Sequence, residues 1–153
     1  MRVIKTSLLL CVATLLVSCN LGVCVWDIGY KQINTKPDEK DLLGVFHLTE
    51  KSITHLSKQD VDLQYTKLEL RGDHQYILVD APSAIINQFD KQQTFIKAGK
   101  WSVSCEDLYG GCLIELAGIC VVPLTKKAGV LSIPISIGDP DQCEGIVFER
   151  TGN

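Results

Sequence analysis

The sequence predicts a mainly-β fold, a small antiparallel barrel or sandwich with one short helix after the first strand. Three observations lead there. Apolar and polar residues alternate in short runs, as where Leu68 and Leu70 stand between Lys67, Glu69 and Arg71. Turn signals such as Gly72-Asp73-His74 and Gly110-Gly111 separate those runs. The 153 residues, 46% hydrophobic and 22% charged, suit one domain large enough to bury a real core.

Each element has its own signal. In Gly44 to Thr49, Phe46 and Leu48 alternate with Val45, His47 and Thr49, which predicts the first strand. Ile53 and Leu56 then lie three apart, with Thr49 placed to cap a helix over Glu50 to Leu56. Tyr65 to Arg71 and Gln75 to Asp80 flank a hairpin turn, and Ala81 to Lys97, with Pro82 and several amides, reads as looser chain. Gly99 to Cys105 and Cys112 to Leu116 bracket a second turn, and Val121-Val122 begin a piece that Pro123 cuts short. Leu131, Ile133, Ile135 and Ile137 repeat with period two, and Pro134 among them predicts an edge or a bulge. Gly145 to Arg150 supplies the last strand.

Ahead of this body lies an export signal over Met1 to Ser18. Arg2 and Lys5 form its positive start, and the apolar run from Ser7 to Val17 is shorter than the roughly 20 residues that a bilayer span needs. Leu16-Val17-Ser18-Cys19 has the form of a bacterial lipobox, whose Cys19 would be acylated and become the mature N-terminus; Val23 makes Cys24 a poorer fit. Residues 19–40 would then be the lipidated cysteine and a tether, about 70 Å long when fully extended, with Trp26 and Tyr30 expected to pack back on the body. Loss of Arg2 and Lys5 leaves 13 basic against 18 acidic residues, a net charge of −5. That balance argues against nucleic acid as a partner and assigns membrane affinity to the lipid alone.

The segments Leu43-Gly44-Val45-Phe46-His47-Leu48-Thr49, Leu68 to Tyr76 and Gly99-Lys100-Trp101 form part of a wider pattern. Its remainder is Ile137-Gly138-Asp139-Pro140-Asp141 followed by Gly145-Ile146-Val147-Phe148-Glu149-Arg150. Together they resemble an uncharacterised family of small bacterial lipoproteins with a lipocalin-like β-barrel. The resemblance runs from about Asp41 to Arg150, with the Gly-Asp-Pro-Asp stretch its most specific piece. It implies a meander barrel over residues 41–153 and an envelope address; in a Gram-negative host, Asn20 rather than Asp after Cys19 is compatible with sorting to the periplasmic face of the outer membrane. It implies no activity, and Cys143 departs from its usual pattern.

Seven cysteines fit an oxidising compartment. With Cys11 removed and Cys19 acylated, Cys24, Cys105, Cys112, Cys120 and Cys143 remain. The last four allow three pairings. A bridge between Cys105 and Cys112 across the hairpin is the easiest, leaving Cys120 with Cys143 and Cys24 as a spare thiol or a competing partner. No Cys-X-X-Cys spacing occurs. His47, His55 and His74 are scattered, and Asp139, Asp141 and Glu144 read as a turn rather than a calcium loop. No phosphate loop or nucleophile motif appears, so the expectation is no enzyme, no cofactor and no metal.

Two kinds of binding protein fit these residues. A carrier of a small apolar or amphipathic ligand would have a cavity lined by Phe46, Leu48, Leu70, Ile77, Trp101 and Ile135. A protein-binding module, such as an inhibitor or immunity-type factor, would have a filled barrel and an exposed patch around Ala81 to Phe95. Small barrels are often filled by side chains, which slightly favours the second.

Overall fold

A computed structural model describes residues 29–56, 62–90, 93–106, 110–138 and 143–152. The segments read as export signal, lipidated Cys19, Cys24, Trp26, Asp139 and Asp141 lie outside them.

Among the described residues, ten antiparallel strands wind into a nearly closed barrel, accompanied by two short α-helices. In chain order, β1 (Lys31–Gln32) and α1 (Glu39–Leu42) precede β2 (Gly44–Leu48), and α2 (Glu50–Leu56) follows at once. A meander of β3 (Lys67–Leu70), β4 (Gln75–Pro82), β5 (Thr94–Glu106), β6 (Gly111–Leu116) and β7 (Cys120–Pro123) comes next. The chain ends in β8 (Thr125–Lys127), β9 (Val130–Ser136) and β10 (Gly145–Arg150). β10 returns to pair with β2, and β7 packs beside β9, which brings the two ends of the sheet together.

The pleat sorts the residues. Phe46, Leu68 and Leu78 share one row across three strands and point inward, while His47, Lys67 and Val79 share the next row and point out. Phe46, Leu48, Leu70, Tyr76, Trp101, Ile114, Ile135 and Phe148 are all buried. The polar ends of the large aromatics are satisfied from inside: Tyr76 Oη donates to Ala117 O at 2.8 Å and Trp101 Nε1 to Arg71 O at 3.1 Å. Ile77 departs from its expected place in the lining. It stands in register with Glu69 and Ala98, on the outward side, and is only half-buried.

Tyr30 lies against the body, as its apolar ring predicts, its hydroxyl donating to Glu149 at 2.6 Å beneath the Lys127 ammonium. Three further features differ from the sequence expectation, each for a physical reason. The barrel begins inside the stretch read as tether: β1 pairs with β8, and Ile33 accepts from Cys112 N at 2.6 Å while donating to Leu124 O at 2.9 Å. The looser chain is shorter than expected, because β4 continues through a bulge to Pro82 and β5 already starts at Thr94. Pro134 lies in a strand flanked by β8 and β10, yet its missing N–H faces away from β10, past the point at Ser132 where β8 pairing stops.

The helix after the first strand has a role the sequence does not reveal. Thr49 caps α2, with Ser52 N donating to Thr49 Oγ1 at 3.2 Å. Because β2 gives way to α2 there, the buried N–H of Val147 on β10 loses its next strand partner, and Ser52 Oγ accepts it at 2.9 Å. Ser52→Ala leaves that donor buried and unpaired, so we expect a loss of about 1–3 kcal/mol, measured by urea denaturation. Thr54→Ala on the exposed face of α2, where Thr54 Oγ1 donates to Glu50 O at 2.8 Å in contact with water, should cost less than about 0.5 kcal/mol.

Candidate functional site

The four body cysteines resolve into three situations. Cys105 and Cys112 face each other in the β5–β6 register and form a disulfide, as the hairpin geometry predicts. Cys120 and Cys143 do not pair, which corrects the second bridge expected from sequence. Cys143 is disulfide-bonded to a partner outside the described residues, while Cys120 is a free thiol on β7 opposite Leu116. Spacing alone could not exclude that pairing, because the two positions are brought near or kept apart only by how the sheet closes.

Burial pushes the Cys120 thiol up to about 12 from an ordinary value of 9.0. Thiolate is therefore scarce in the folded protein at neutral pH. Since the unfolded chain deprotonates first, this group's contribution to stability is complete below pH 9 and is lost as pH rises from 9 towards 12. We expect iodoacetamide at pH 8 to spare Cys120 in the native protein. In non-reducing denaturant it should label Cys120 while sparing Cys105, Cys112 and Cys143. Label on native Cys120, or on Cys105, would contradict these assignments.

Among the described residues no three of His, Cys, Asp and Glu gather at metal-binding distance. His74, held at φ +57° in its turn, stacks against Trp101 at 4.9 Å and comes within 3.8 Å of Glu39. Tyr30 is raised well above the ordinary phenol range, by burial and by its bond to Glu149, which keeps it neutral.

Cavities on the surface are modest. The largest described cleft, about 400 Å³, opens between Asp41, Lys126, Val130 and Arg150. A second, about 230 Å³, has Leu42, His74, Trp101 and Val103 as its walls. The second falls below the roughly 300–1,000 Å³ usual for ligand pockets, and the first is open, its walls mixing charged and apolar side chains. Five of the six side chains expected to line a ligand cavity instead fill the barrel by packing together.

Exposed apolar side chains lie elsewhere: Tyr65, Val121 and Val130 singly, and Ile86, Phe89 and Ile96 along the connection between β4 and β5 and the start of β5. Ala81 and Ala84 turn into the core, but Ile86 is 57% exposed, Phe89 86% and Ile96, just inside β5, 66%. Ser83 N donates to Gln93 O and Asn87 N to Ser83 O, both at 2.9 Å, so the base of the connection is tied. The side chain of Asn87 accepts from Phe89 N at 3.2 Å, an Asx turn that holds Phe89 at the tip. Among the described residues no helix is long and apolar enough to cross a membrane. Comparison with known proteins finds no matching family model, no matching curated protein and no matching solved structure.

Proposed function

We propose that this chain is a lipid-anchored, non-enzymatic module of the bacterial cell envelope that binds a protein partner through its β4–β5 connection. The observation that carries the reading is Phe89, presented with Ile86 and Ile96 on a tied connection rather than buried. The five expected lining side chains that join one buried core cluster support it over a carrier role. The anchor rests on the lipobox at Leu16-Val17-Ser18-Cys19 and on the resemblance to small bacterial lipoproteins. An inhibitor or immunity-type factor guarding the envelope is the role in best accord with a rigid, disulfide-linked body on a lipid.

Two experiments test this. In the native host, Cys19→Ala should abolish labelling by radioactive palmitate and release the protein from membranes; membrane retention without label would remove the anchor. A photo-crosslinking amino acid at position 89 should give one defined adduct in intact cells. The same probe at position 130, where Val130 is exposed at the opposite end of the strands, should give none. Equal crosslinking at both positions would remove the partner surface.

A further inference from the structure

β5 is long enough to serve two neighbours, and its two halves are not treated alike. Residues Thr94 to Lys100 pair with β4, while Trp101 to Glu106 pair with β6. The hydrogen bonds give the direction of each residue: Trp101 N donates to His74 O and Ser83 N donates to Gln93 O, so the odd-numbered residues address β4. The even-numbered ones address the opposite side. There Lys100 O is taken by Ala117 N at 2.9 Å, where β6 ends in its turn. Beyond that point Thr94, Ile96 and Ala98 present their N–H and C=O groups to an edge that no described strand covers. The gap on the other half of β5 is treated differently: Lys36, Pro37, Glu39 and Leu42 lie beside Trp101, Ser102 and Val103 there.

Charge states what would fit the open edge. Lys97 ends the inward row that runs from Phe46 through Leu68 and Leu78, and Lys100 lies on the outer face; both are exposed, and neither has an ion-pair partner among the described residues. They stand out in a chain of net charge −3. Lysines on an edge strand, one of them on the inward row, are the usual guard against pairing with an identical edge. Two copies joined through this edge would bring four ammonium groups together. The same charges attract an acidic strand, so one device excludes the second copy and selects the partner.

We infer that the Thr94–Ala98 edge of β5 accepts an extended acidic segment of a partner protein as an added strand, with Ile96 and Phe89 contacting its apolar side chains. This rests on the partner-binding reading above and specifies how the partner is held. The probe is a seven-residue peptide of alternating Glu and Val, tested on the full chain by amide exchange and fluorescence titration at low salt. Protection should appear at the amides of Ile96 and Ala98. Affinity should fall at least tenfold with a Lys-Val peptide, in Ile96→Pro, which removes only an outward-facing N–H, and in Lys97→Glu/Lys100→Glu, which leaves the backbone intact if the proline variant does not fold. Equal binding of both peptides, or unchanged binding by the charge-reversed variant, would overturn the inference. So would a concentration-dependent dimer protected at this edge, or anionic vesicles protecting it in place of the peptide. Protection around Phe89 without protection at Ile96 and Ala98 would retain the partner surface and remove strand addition.

Discussion

Gly111→Ala should destabilise the protein by about 2–4 kcal/mol, the largest loss expected from adding a single methyl group. Gly111 opens β6 at φ +153°, a conformation that side chains with a Cβ rarely adopt. A Cβ there would also come within 2.8 Å of Ile33 O and of Gln32 Cγ, and within 2.9 Å of Asn34 Oδ1. Gln32 could swing away, but Ile33 O cannot, because it accepts from Cys112 N and so stitches the N-terminal segment onto β6. The methyl group therefore forces out the segment that links β6 to the β7–β8 corner. Urea denaturation should register the loss, and amide exchange should show Ile33 and Cys112 opening together. Gly129→Ala provides the control: Gly129 also has positive φ, at +86°, but nothing lies within 4 Å of its Cβ position. That variant should lose only the backbone term, about 1 kcal/mol. Equal losses at the two positions would mean that the contact with Ile33 has no energetic weight.

The second large effect is Phe148→Ala, expected to cost about 3–5 kcal/mol. Phe148 stands opposite Leu48 on β2 and Ile133 on β9, completely buried at the seam where the last strand returns to the first. Its removal leaves a void between strands that are remote in sequence and cannot collapse independently. The neighbouring Glu149→Ala changes a half-buried, outward residue whose main contact is the Tyr30 hydroxyl. It should cost about 1 kcal/mol or less. The pair of measurements tests the register of β10 directly, since a slip by one residue would exchange the two losses. Calorimetry of both variants is sufficient.

Much of this fold is legible in the chain because its signals are local. The alternation in Lys67 to Leu70, the Thr49 cap and the Gly72-Asp73-His74 turn depend only on neighbours within a few residues, and each element forms where the sequence predicts it. The β5–β6 bridge is legible for the same reason, since Cys105 and Cys112 flank one hairpin. Signals fail where the deciding partner is distant. Ala81 to Lys97 reads as loose chain because its amides and Pro82 obscure the period, whereas pairing with β4 draws Thr94 to Ala98 into a strand. Ser52 reads as an ordinary helix residue, and only the loss of a strand neighbour at Val147 gives its hydroxyl a role. Phe89 lies within the predicted patch, but only the folded connection, with Asn87 holding its backbone, shows which of that patch's residues turn outward.

The sequence by itself determined the β class, the helix over Glu50–Leu56 and the hairpin disulfide. Each follows from side-chain period, turn chemistry or short spacing, which act before the chain closes. The tertiary structure alone decided that Lys31 to Asn34 belong to the barrel, that Cys120 and Cys143 do not pair, and that half of β5 keeps an open edge. These depend on where a sheet of fixed twist meets itself. That meeting point sets which remote backbones touch, and no local property of the chain encodes it.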